Sequence, residues 1–121
     1  MLVGIGGFVG SVFRYLLSGV VQRALPMSDF PFGTLAVNVL GCLLIGIAHG
    51  VAETRQVFGP EWRVFLMIGL LGGFTTFSTF GYETLALMRD AEVFHAIGNV
   101  FLQVFLGLAA VWLGDLLGRV G

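Results

Sequence analysis

The chain has 121 residues, of which 57% are hydrophobic and 11% charged, and its formal net charge is -1. A soluble domain usually carries about 25% charged residues, so this composition and the mean hydropathy of +0.98 predict an integral membrane protein. The small net charge gives no electrostatic basis for binding nucleic acid or an anionic lipid surface.

Four apolar segments follow one another along the chain, at about 2–22, 33–52, 62–88 and 95–118. Each reaches the roughly 20 residues that a helix needs to cross a bilayer core. The first segment has no basic n-region and is longer than an h-region, so we interpret it as a retained span and not as a signal peptide. The sequence therefore predicts a single all-α transmembrane domain over residues 1–121.

The arginines give little information on orientation. With four spans, Arg55, Arg63 and Arg119 share one side of the membrane, and Arg23 and Arg89 share the other. Three against two is almost no positive-inside bias, which normally sets topology. Either the chain inserts in both orientations and pairs with an inverted copy of itself, or the near-balance is due to chance.

Polar and small residues form a stripe in the first span. Gly4, Gly7, Ser11, Arg14 and Ser18 follow three- and four-residue steps, so they share one face of a helix. Arg14 lies well inside the apolar stretch. Two interpretations stay open for it, a structural role through snorkelling or carbonyl contacts, and a place in an anion vestibule.

The second span carries Thr34, Asn38, Cys42, Gly46 and Gly50 at four-residue steps. Small residues at this spacing predict close packing against another helix. Cys42 fits that ridge as a packing residue. Asn38 differs, because a buried amide must find a partner or solvent. It either bonds across a helix interface or lines a polar pathway.

The third span contains the strongest signal in the sequence. Two glycines precede a cluster of hydroxyl side chains in the middle of the apolar segment; these residues are Gly72, Gly73, Thr75, Thr76, Ser78 and Thr79. Unwound backbone inside a membrane is tolerated only where it faces protein, water or an ion. We therefore predict that the third helix is broken at mid-membrane, a recurring feature of ion sites.

Aromatic and acidic side chains accompany the predicted break. Phe77 and Phe80 are three residues apart and project from nearly the same helix face, while Thr76, Thr79 and Glu83 line an adjacent one. Glu83 has three possible roles: it carries a proton, as intramembrane carboxylates often do, it pairs with Arg14, or it holds the broken segment.

The fourth span has a further polar stripe, formed by His95, Asn99, Gln103 and Gly107. His95 lies at the entrance of the span, where we expect it to contact water. No second histidine or cysteine stands at ligand spacing, and the chain has no nucleotide-binding loop, catalytic-triad signature or zinc motif. These observations argue against an enzyme.

Three stretches together resemble the CrcB/Fluc family of fluoride channels over essentially the whole chain. They are Gly7-Phe8-Val9-Gly10-Ser11-Val12-Phe13-Arg14-Tyr15, Gly33-Thr34-Leu35-Ala36-Val37-Asn38-Val39-Leu40-Gly41 and Gly72-Gly73-Phe74-Thr75-Thr76-Phe77-Ser78-Thr79-Phe80. The third of these stretches, at its distance in the sequence from the second, is a highly specific motif of that family. The resemblance implies a passive fluoride channel in a prokaryotic plasma or inner membrane, built as a dual-topology antiparallel homodimer with two pores.

The resemblance also implies roles for individual residues. A sodium ion at the dimer centre would be held by the backbone carbonyls of Gly72 and Thr75. The pore residues would be Asn38, Phe77, Phe80, Ser78 and Thr79, with Arg14 and Glu83 in supporting roles. The fourth span departs from the family pattern, because Asn99 and Gln103 stand where relatives carry Tyr, Ser or Thr. The roles of these two amides therefore stay open.

Two other classes of protein share some of these features. A proton-coupled small multidrug exporter has the same size and four spans, but it relies on a first-span carboxylate, and the first span here has Arg14 and no acid. A non-transporting subunit of a larger complex would explain the polar stripes, but it leaves the glycine pair and the hydroxyl cluster unexplained.

Overall fold

The computed structural model describes residues 1–25, 30–55 and 59–120, and within these ranges the chain is helical with short connections and no strand. The helices are α1 (Leu2–Ala24), α2 (Phe32–Arg55), α3 (Pro60–Arg63), a π-helix (Val64–Leu70), α4 (Leu71–Phe74), α5 (Phe77–Arg89) and α6 (Val93–Arg119). Four stretches are long and apolar enough to cross a membrane, namely α1, α2, Pro60–Arg89 and α6. The four predicted spans are thus confirmed, each lying within one of these stretches.

The third span is interrupted at Thr75 and Thr76, which we call the interruption. Thr75 has φ -85° and ψ 158°, and Thr76 has φ -151° and ψ 117°, so both are extended. The glycine pair that we expected to unwind is instead helical, because Gly72 and Gly73 lie inside α4. Close packing keeps Gly73 helical, whereas β-branched threonines adopt an extended backbone readily.

The interruption marks the point at which the third span changes its packing partner. The π-helix and α4 pack against α1, whereas α5 packs against α6. A straight helix cannot follow both partners, so the two extended residues let the chain change direction between them. The third span is thus interrupted at the two threonines and not at the glycines. That the break lies at mid-membrane stays a prediction.

Glycines bring α1 and the first half of the third span into backbone contact. A Cβ built on Gly6 would lie 2.7 Å from the Leu70 amide nitrogen, and one built on Gly73 would lie 2.7 Å from the Gly7 carbonyl oxygen. Neither position has room for a side chain, as is common where membrane helices pack closely. The buried face of α1 thus runs through Gly6 and Gly10, next to the stripe that the sequence singled out.

The pair α2 and α6 forms the most extensive helix interface of the described chain. Gly46 and Gly50 of α2 face Gly114 and Gly118 of α6, and a Cβ on any of the four would meet backbone atoms of the other helix. The predicted small-residue ridge of the second span is therefore a packing surface. Because the backbones meet so closely, the polar side chains of α2 and α6 nearer the interruption are held at a fixed separation.

A tight turn joins α5 to α6. Asp90 ends α5, Ala91 takes a positive φ of 61°, and the Glu92 amide bonds the Leu87 carbonyl at 2.8 Å. The Ala91 amide also bonds the Met88 carbonyl at 3.2 Å, which completes a Schellman-type helix end. The turn reverses the chain, so α6 runs back along α5 toward the interruption.

Candidate functional site

The site is built around Thr76, which ends the interruption and caps α5. Its hydroxyl oxygen accepts a hydrogen bond from the Thr79 amide at 3.2 Å and donates to the Thr79 hydroxyl at 3.0 Å. A threonine hydroxyl in this position satisfies one of the free amides of the first helical turn. The cap fixes where α5 begins, and it therefore fixes the directions in which Phe77 and Phe80 project.

Asn38 of α2 bonds both backbone polar groups of Thr76. The Thr76 amide donates to Asn38 Oδ1 at 2.9 Å, and Asn38 Nδ2 donates to the Thr76 carbonyl at 3.0 Å. The side-chain amide thus replaces the helical bonds that Thr76 lacks. Asn38 therefore makes bonds across a helix interface, and its place in a polar pathway stays a prediction.

The interruption leaves a row of backbone carbonyls without helical donors. The Thr76 and Thr79 amides, which would bond the Gly72 and Thr75 carbonyls in a continuous helix, donate to side chains instead. Within the described ranges no backbone amide donates to the carbonyls of residues 72–75. Such carbonyls are ligands that a hard cation accepts, and they are unsuited to contact with lipid.

A groove of about 450 Å³ opens between α2, the interruption and α6. Its polar side chains are Asn38, Thr75, Thr76 and Gln103, and Phe77 and Phe80 line it as well. Gly72 also borders the groove, as do apolar residues of α2 and α6. The groove thus brings together Asn38, both phenylalanines, Gly72 and Thr75 from the residues singled out in the sequence.

The two phenylalanines of α5 lie side by side at the edge of this groove. Their ring centroids are 5.4 Å apart with an interplanar angle of 55°. Phe80 is half-buried, whereas Phe77 is 81% exposed on the isolated chain. Because an aromatic ring carries a positive edge, this pair can present C–H edges to an anion without offering a formal charge.

Ser78 and Thr79 lie on a different face of α5 from the groove. Both are exposed, and neither lines the cavity. The Ser78 hydroxyl is 3.5 Å from the Thr76 hydroxyl, so the three hydroxyls form one polar patch at the start of α5. Hydroxyls on the outer face of a membrane helix are costly in contact with lipid alone.

A chain of side-chain hydrogen bonds leads away from Asn38; we call Asn38, Gln103, Asn99 and Thr84 the side-chain relay. Asn38 Nδ2 donates to Gln103 Oε1 at 3.1 Å, and Gln103 Nε2 donates to Asn99 Oδ1 at 3.5 Å. Asn99 Nδ2 donates to the Thr84 hydroxyl at 2.9 Å, which donates to the Phe80 carbonyl at 2.8 Å. The polar stripe of the fourth span is therefore engaged with α2 and α5.

The two supporting residues are placed apart from one another. Glu83 Oε1 is buried without a hydrogen-bond partner in the described chain. It lines a separate cavity of about 400 Å³ with Ser18 and Gln22. No ion pair joins Glu83 to Arg14 within the described ranges, so that alternative for Glu83 is not realised.

The histidines bond to carboxylates at the ends of the helices. His49 Nδ1 lies 2.9 Å from Asp115 Oδ1, which connects α2 to α6, and His95 bonds Glu92 one turn before it. Asp115 also accepts from Arg119 Nε at 2.9 Å. Among the described residues no group of three or more His, Cys, Asp or Glu can hold a metal ion.

Sequence reasoning missed two parts of this site. Thr84 was not singled out, although it lies four residues after Phe80 and so projects from the same side of α5. The role of Thr76 as the centre of the hydrogen bonds was also missed, because its partner Asn38 is 38 positions away in the sequence. Gln103, the next residue in the chain of bonds, is 65 positions from Asn38. Gly6 and Gly10, the buried residues of α1, do form a small-xxx-small pattern in the sequence, which is a signal of close helix packing.

Four long apolar stretches, one of them interrupted beside a partly polar groove, define a multi-pass membrane protein. The chain belongs to the CrcB family, since the family described as "CrcB-like protein, Camphor Resistance (CrcB)" matches residues 1–115. The family resemblance drawn from the sequence motifs is thereby confirmed.

Curated relatives match over nearly the full length. A fluoride-specific ion channel FluC of Nitratidesulfovibrio vulgaris (strain Miyazaki F) is 48% identical over 120 residues, covering 99% of this chain and 96% of the relative. One from Geobacter sulfurreducens is 48% identical, covering 98% and 95%. Fluoride-specific ion channel FluC 1 of Methanosarcina acetivorans is 42% identical, covering 96% and 87%. These relatives are named as ion channels and not as enzymes, and the chain is a multi-pass protein of a prokaryotic membrane.

Proposed function

We propose that this protein is a passive, fluoride-selective channel that exports cytoplasmic fluoride. The observation that carries the proposal is the groove at the interruption, where Asn38, Phe77 and Phe80 meet beside an uncapped row of carbonyls. The choice of fluoride as the ion comes from the relatives, which are named fluoride-specific ion channels and are 42–48% identical to this chain. Fluoride that enters as the neutral acid from acidic surroundings ionises inside, and the membrane potential then drives the anion out.

The chemistry of the groove suits a small, strongly hydrated anion. A pore must replace the water around the ion, and it must do so weakly enough that the ion leaves again. Hydroxyl hydrogens such as those of Ser78 and Thr79 donate to an anion, and the edges of Phe77 and Phe80 add attraction without a full charge. In this proposal Asn38, Phe77 and Phe80 line the path inside the groove, and Arg14 and Glu83 support it from the neighbouring helices.

The channel works as an antiparallel homodimer with two pores. Phe77 is 81% exposed on one protomer, and the hydroxyls of Ser78 and Thr79 are exposed beside it. An exposed polar patch and unpaired carbonyls do not suit a lipid-facing surface at mid-membrane. A second, inverted copy covers this face and completes each path with Ser78 and Thr79. The three-to-two distribution of arginines is compatible with insertion in both orientations.

A structural sodium ion at the dimer centre fits the residues present. The carbonyls of Gly72 and Thr75 lack backbone donors in the described chain, and the nearest atom to a Cβ built on Gly72 is the Met67 carbonyl oxygen, 3.7 Å away. Oxygen ligands of this kind suit a hard cation. Gly72 and Thr75 of the two protomers would hold the ion, whose charge would offset the cost of an anion nearby.

The test of the channel is anion efflux from liposomes that contain the purified protein. Fluoride should leave rapidly down its gradient while chloride, in matched vesicles, should leave no faster than from protein-free controls. Equal fluxes of the two anions, or no fluoride flux at all, would disprove the assignment.

The sodium ion is tested separately in the same vesicles. Replacing sodium by N-methylglucamine on both sides should abolish fluoride efflux, and restoring sodium should return it. Undiminished fluoride efflux without sodium would remove the ion from the proposal while leaving the channel intact.

A further inference from the structure

The side-chain relay accounts for every polar hydrogen of Asn38. One Nδ2 hydrogen goes to the Thr76 carbonyl and the other to Gln103 Oε1, while Oδ1 accepts from the Thr76 amide. A primary amide has only two hydrogens to donate. In this arrangement Asn38 therefore offers no free hydrogen to an ion, and its orientation is the property that matters to the site.

Only one orientation of the Asn38 amide satisfies Thr76. If the amide were rotated by 180°, the NH₂ group would face the Thr76 N–H, and the carbonyl oxygen would face the Thr76 C=O. Both contacts would then be repulsive, and two backbone groups next to the interruption would be left unpaired, each at a cost of about 1–3 kcal/mol. The orientation of one side chain thus determines whether the interruption is satisfied.

The remaining members of the side-chain relay all agree with this orientation. Gln103 can accept from Asn38 only when its Nε2 points toward Asn99 Oδ1, and Asn99 then turns its own Nδ2 to Thr84. The Thr84 hydroxyl donates onward to the Phe80 carbonyl. Every bond donates in the same direction, so each member specifies the orientation of the next, and such chains strengthen their members.

Asn99 is the member that fits a positioning role best. It is the completely buried polar residue of the described chain, with 0% of its surface exposed, and it does not line the groove. A buried amide is costly unless its bonds are made, and here both ends are paired within α5 and α6. The side-chain relay accepts from the Thr76 amide at the interruption and donates to the Phe80 carbonyl in α5, and between these points it passes through α2 and α6.

We propose that Asn99 is a positioning residue, which acts through Gln103 to hold the Asn38 amide in the single orientation that bridges the interruption. The link between Asn99 and conduction rests on the proposed function. The positioning of Asn38 by Asn99 is independent of that function, because it concerns only the hydrogen bonds of Asn38. It also gives the two fourth-span amides, Asn99 and Gln103, a role that their positions in the sequence left open.

The test compares Asn99→Leu with Asn99→Asp and with Thr34→Val as the control. Leucine keeps the size of Asn99 and removes both bonds, whereas a neutral aspartic acid keeps the shape and both bonds. Thr34→Val removes a different buried polar group outside the relay. The readout is the hydrogen-exchange rate of the Asn38 side-chain amide, measured by NMR on the whole protein in lipid nanodiscs and assigned through its loss in Asn38→Asp.

Exchange at Asn38 should rise about fivefold or more in Asn99→Leu, as expected when one hydrogen bond is lost. It should stay at the wild-type rate in Thr34→Val and rise less in Asn99→Asp than in Asn99→Leu. Fluoride efflux should fall in the same order. An unchanged Asn38 exchange rate in a folded Asn99→Leu protein would overturn the inference.

Two further outcomes, a variant that does not fold and a wild-type protein that carries no fluoride, can be told apart from failure of the inference. If Asn99→Leu does not fold, Thr84→Val removes only the terminal hydroxyl, and an unchanged Asn38 rate in that variant also overturns the inference. If the wild-type protein carries no fluoride, the channel proposal fails, but the exchange rates still decide whether Asn99 positions Asn38.

Discussion

Asn38 and Thr76 are joined by a two-point contact, with 2.9 Å between the Thr76 nitrogen and Asn38 Oδ1 and 3.0 Å between Asn38 Nδ2 and the Thr76 carbonyl oxygen. The contact crosses from the second span to the third. It supplies hydrogen-bond partners to the backbone at the interruption, where the third span is not helical. The stability of the broken helix therefore depends on a residue outside it.

The first prediction concerns this contact. Asn38→Leu leaves the Thr76 N–H and C=O without side-chain partners, so we expect the free energy of unfolding to fall by about 2–4 kcal/mol. Asn38→Asp keeps an acceptor for the Thr76 amide and should lose less. Titration with a denaturing detergent, followed by tryptophan fluorescence, measures the difference. Wild-type stability in Asn38→Leu would show that water replaces the contact.

The second prediction compares the effect on fluoride efflux of replacing a groove phenylalanine with that of replacing a lipid-facing one. Phe80→Ile should reduce fluoride efflux at least tenfold while the dimer still assembles, because a branched aliphatic side chain has no polarised edge to offer. Phe105→Ile is the matched control, since Phe105 is exposed on α6 and lies outside the groove. Efflux from liposomes measures both. Equal effects of the two substitutions would remove the phenylalanine pathway from the proposal.

The third prediction uses Cys42, the one cysteine of the chain. Its side chain lines the groove with Asn38 and Phe80. A small, charged methanethiosulfonate should reach it only through water and should then reduce fluoride efflux at least fivefold. Cys42→Ala removes the thiol and should be insensitive. Mass spectrometry that finds a full adduct with undiminished efflux would place the ion path elsewhere.

The fourth prediction tests the glycine contact between the first and third spans. In Gly73→Ala the added Cβ would lie 2.7 Å from the Gly7 carbonyl oxygen, so we expect a loss of about 1–3 kcal/mol of stability. Gly4→Ala, which has no atom within 4 Å of the added Cβ, is the control. Thermal unfolding in detergent distinguishes the two. A Gly73→Ala protein as stable as Gly4→Ala would argue against this close approach.

Hydropathy alone was enough to predict the fold class. The four spans follow from segment length and composition, and each predicted segment lies inside one of the four long apolar stretches of the structure. The position of the break was less predictable. Gly72 and Gly73 weaken an isolated helix, but packing of Gly73 against Gly7 keeps them helical. A tertiary contact thus overrode a local preference.

The site was predicted as a set of residues but not as a set of bonds. Asn38, Phe77 and Phe80 were found from their chemistry and spacing, and they meet in one groove. Which of them bond one another depends on how α2, α5 and α6 pack, and a period of 3.6 residues along one helix carries no information on that. The placement of Gln103 against Asn38 is the clearest example.

The π-helix at Val64–Leu70 has a consequence for how this segment tolerates changes of length. Such a helix is commonly a single surplus residue accommodated within an α-helix. Removing one residue there would restore α-helical pitch and rotate everything on one side by about 100° relative to the other. A deletion before Gly69 would rotate Gly69 and Gly73 together, away from the α1 backbone that both now approach. Deletion of one apolar residue leaves hydropathy almost unchanged, yet it would redirect Thr75 and Phe77. The residue count of this segment therefore constrains the site as strictly as the identity of the site residues does.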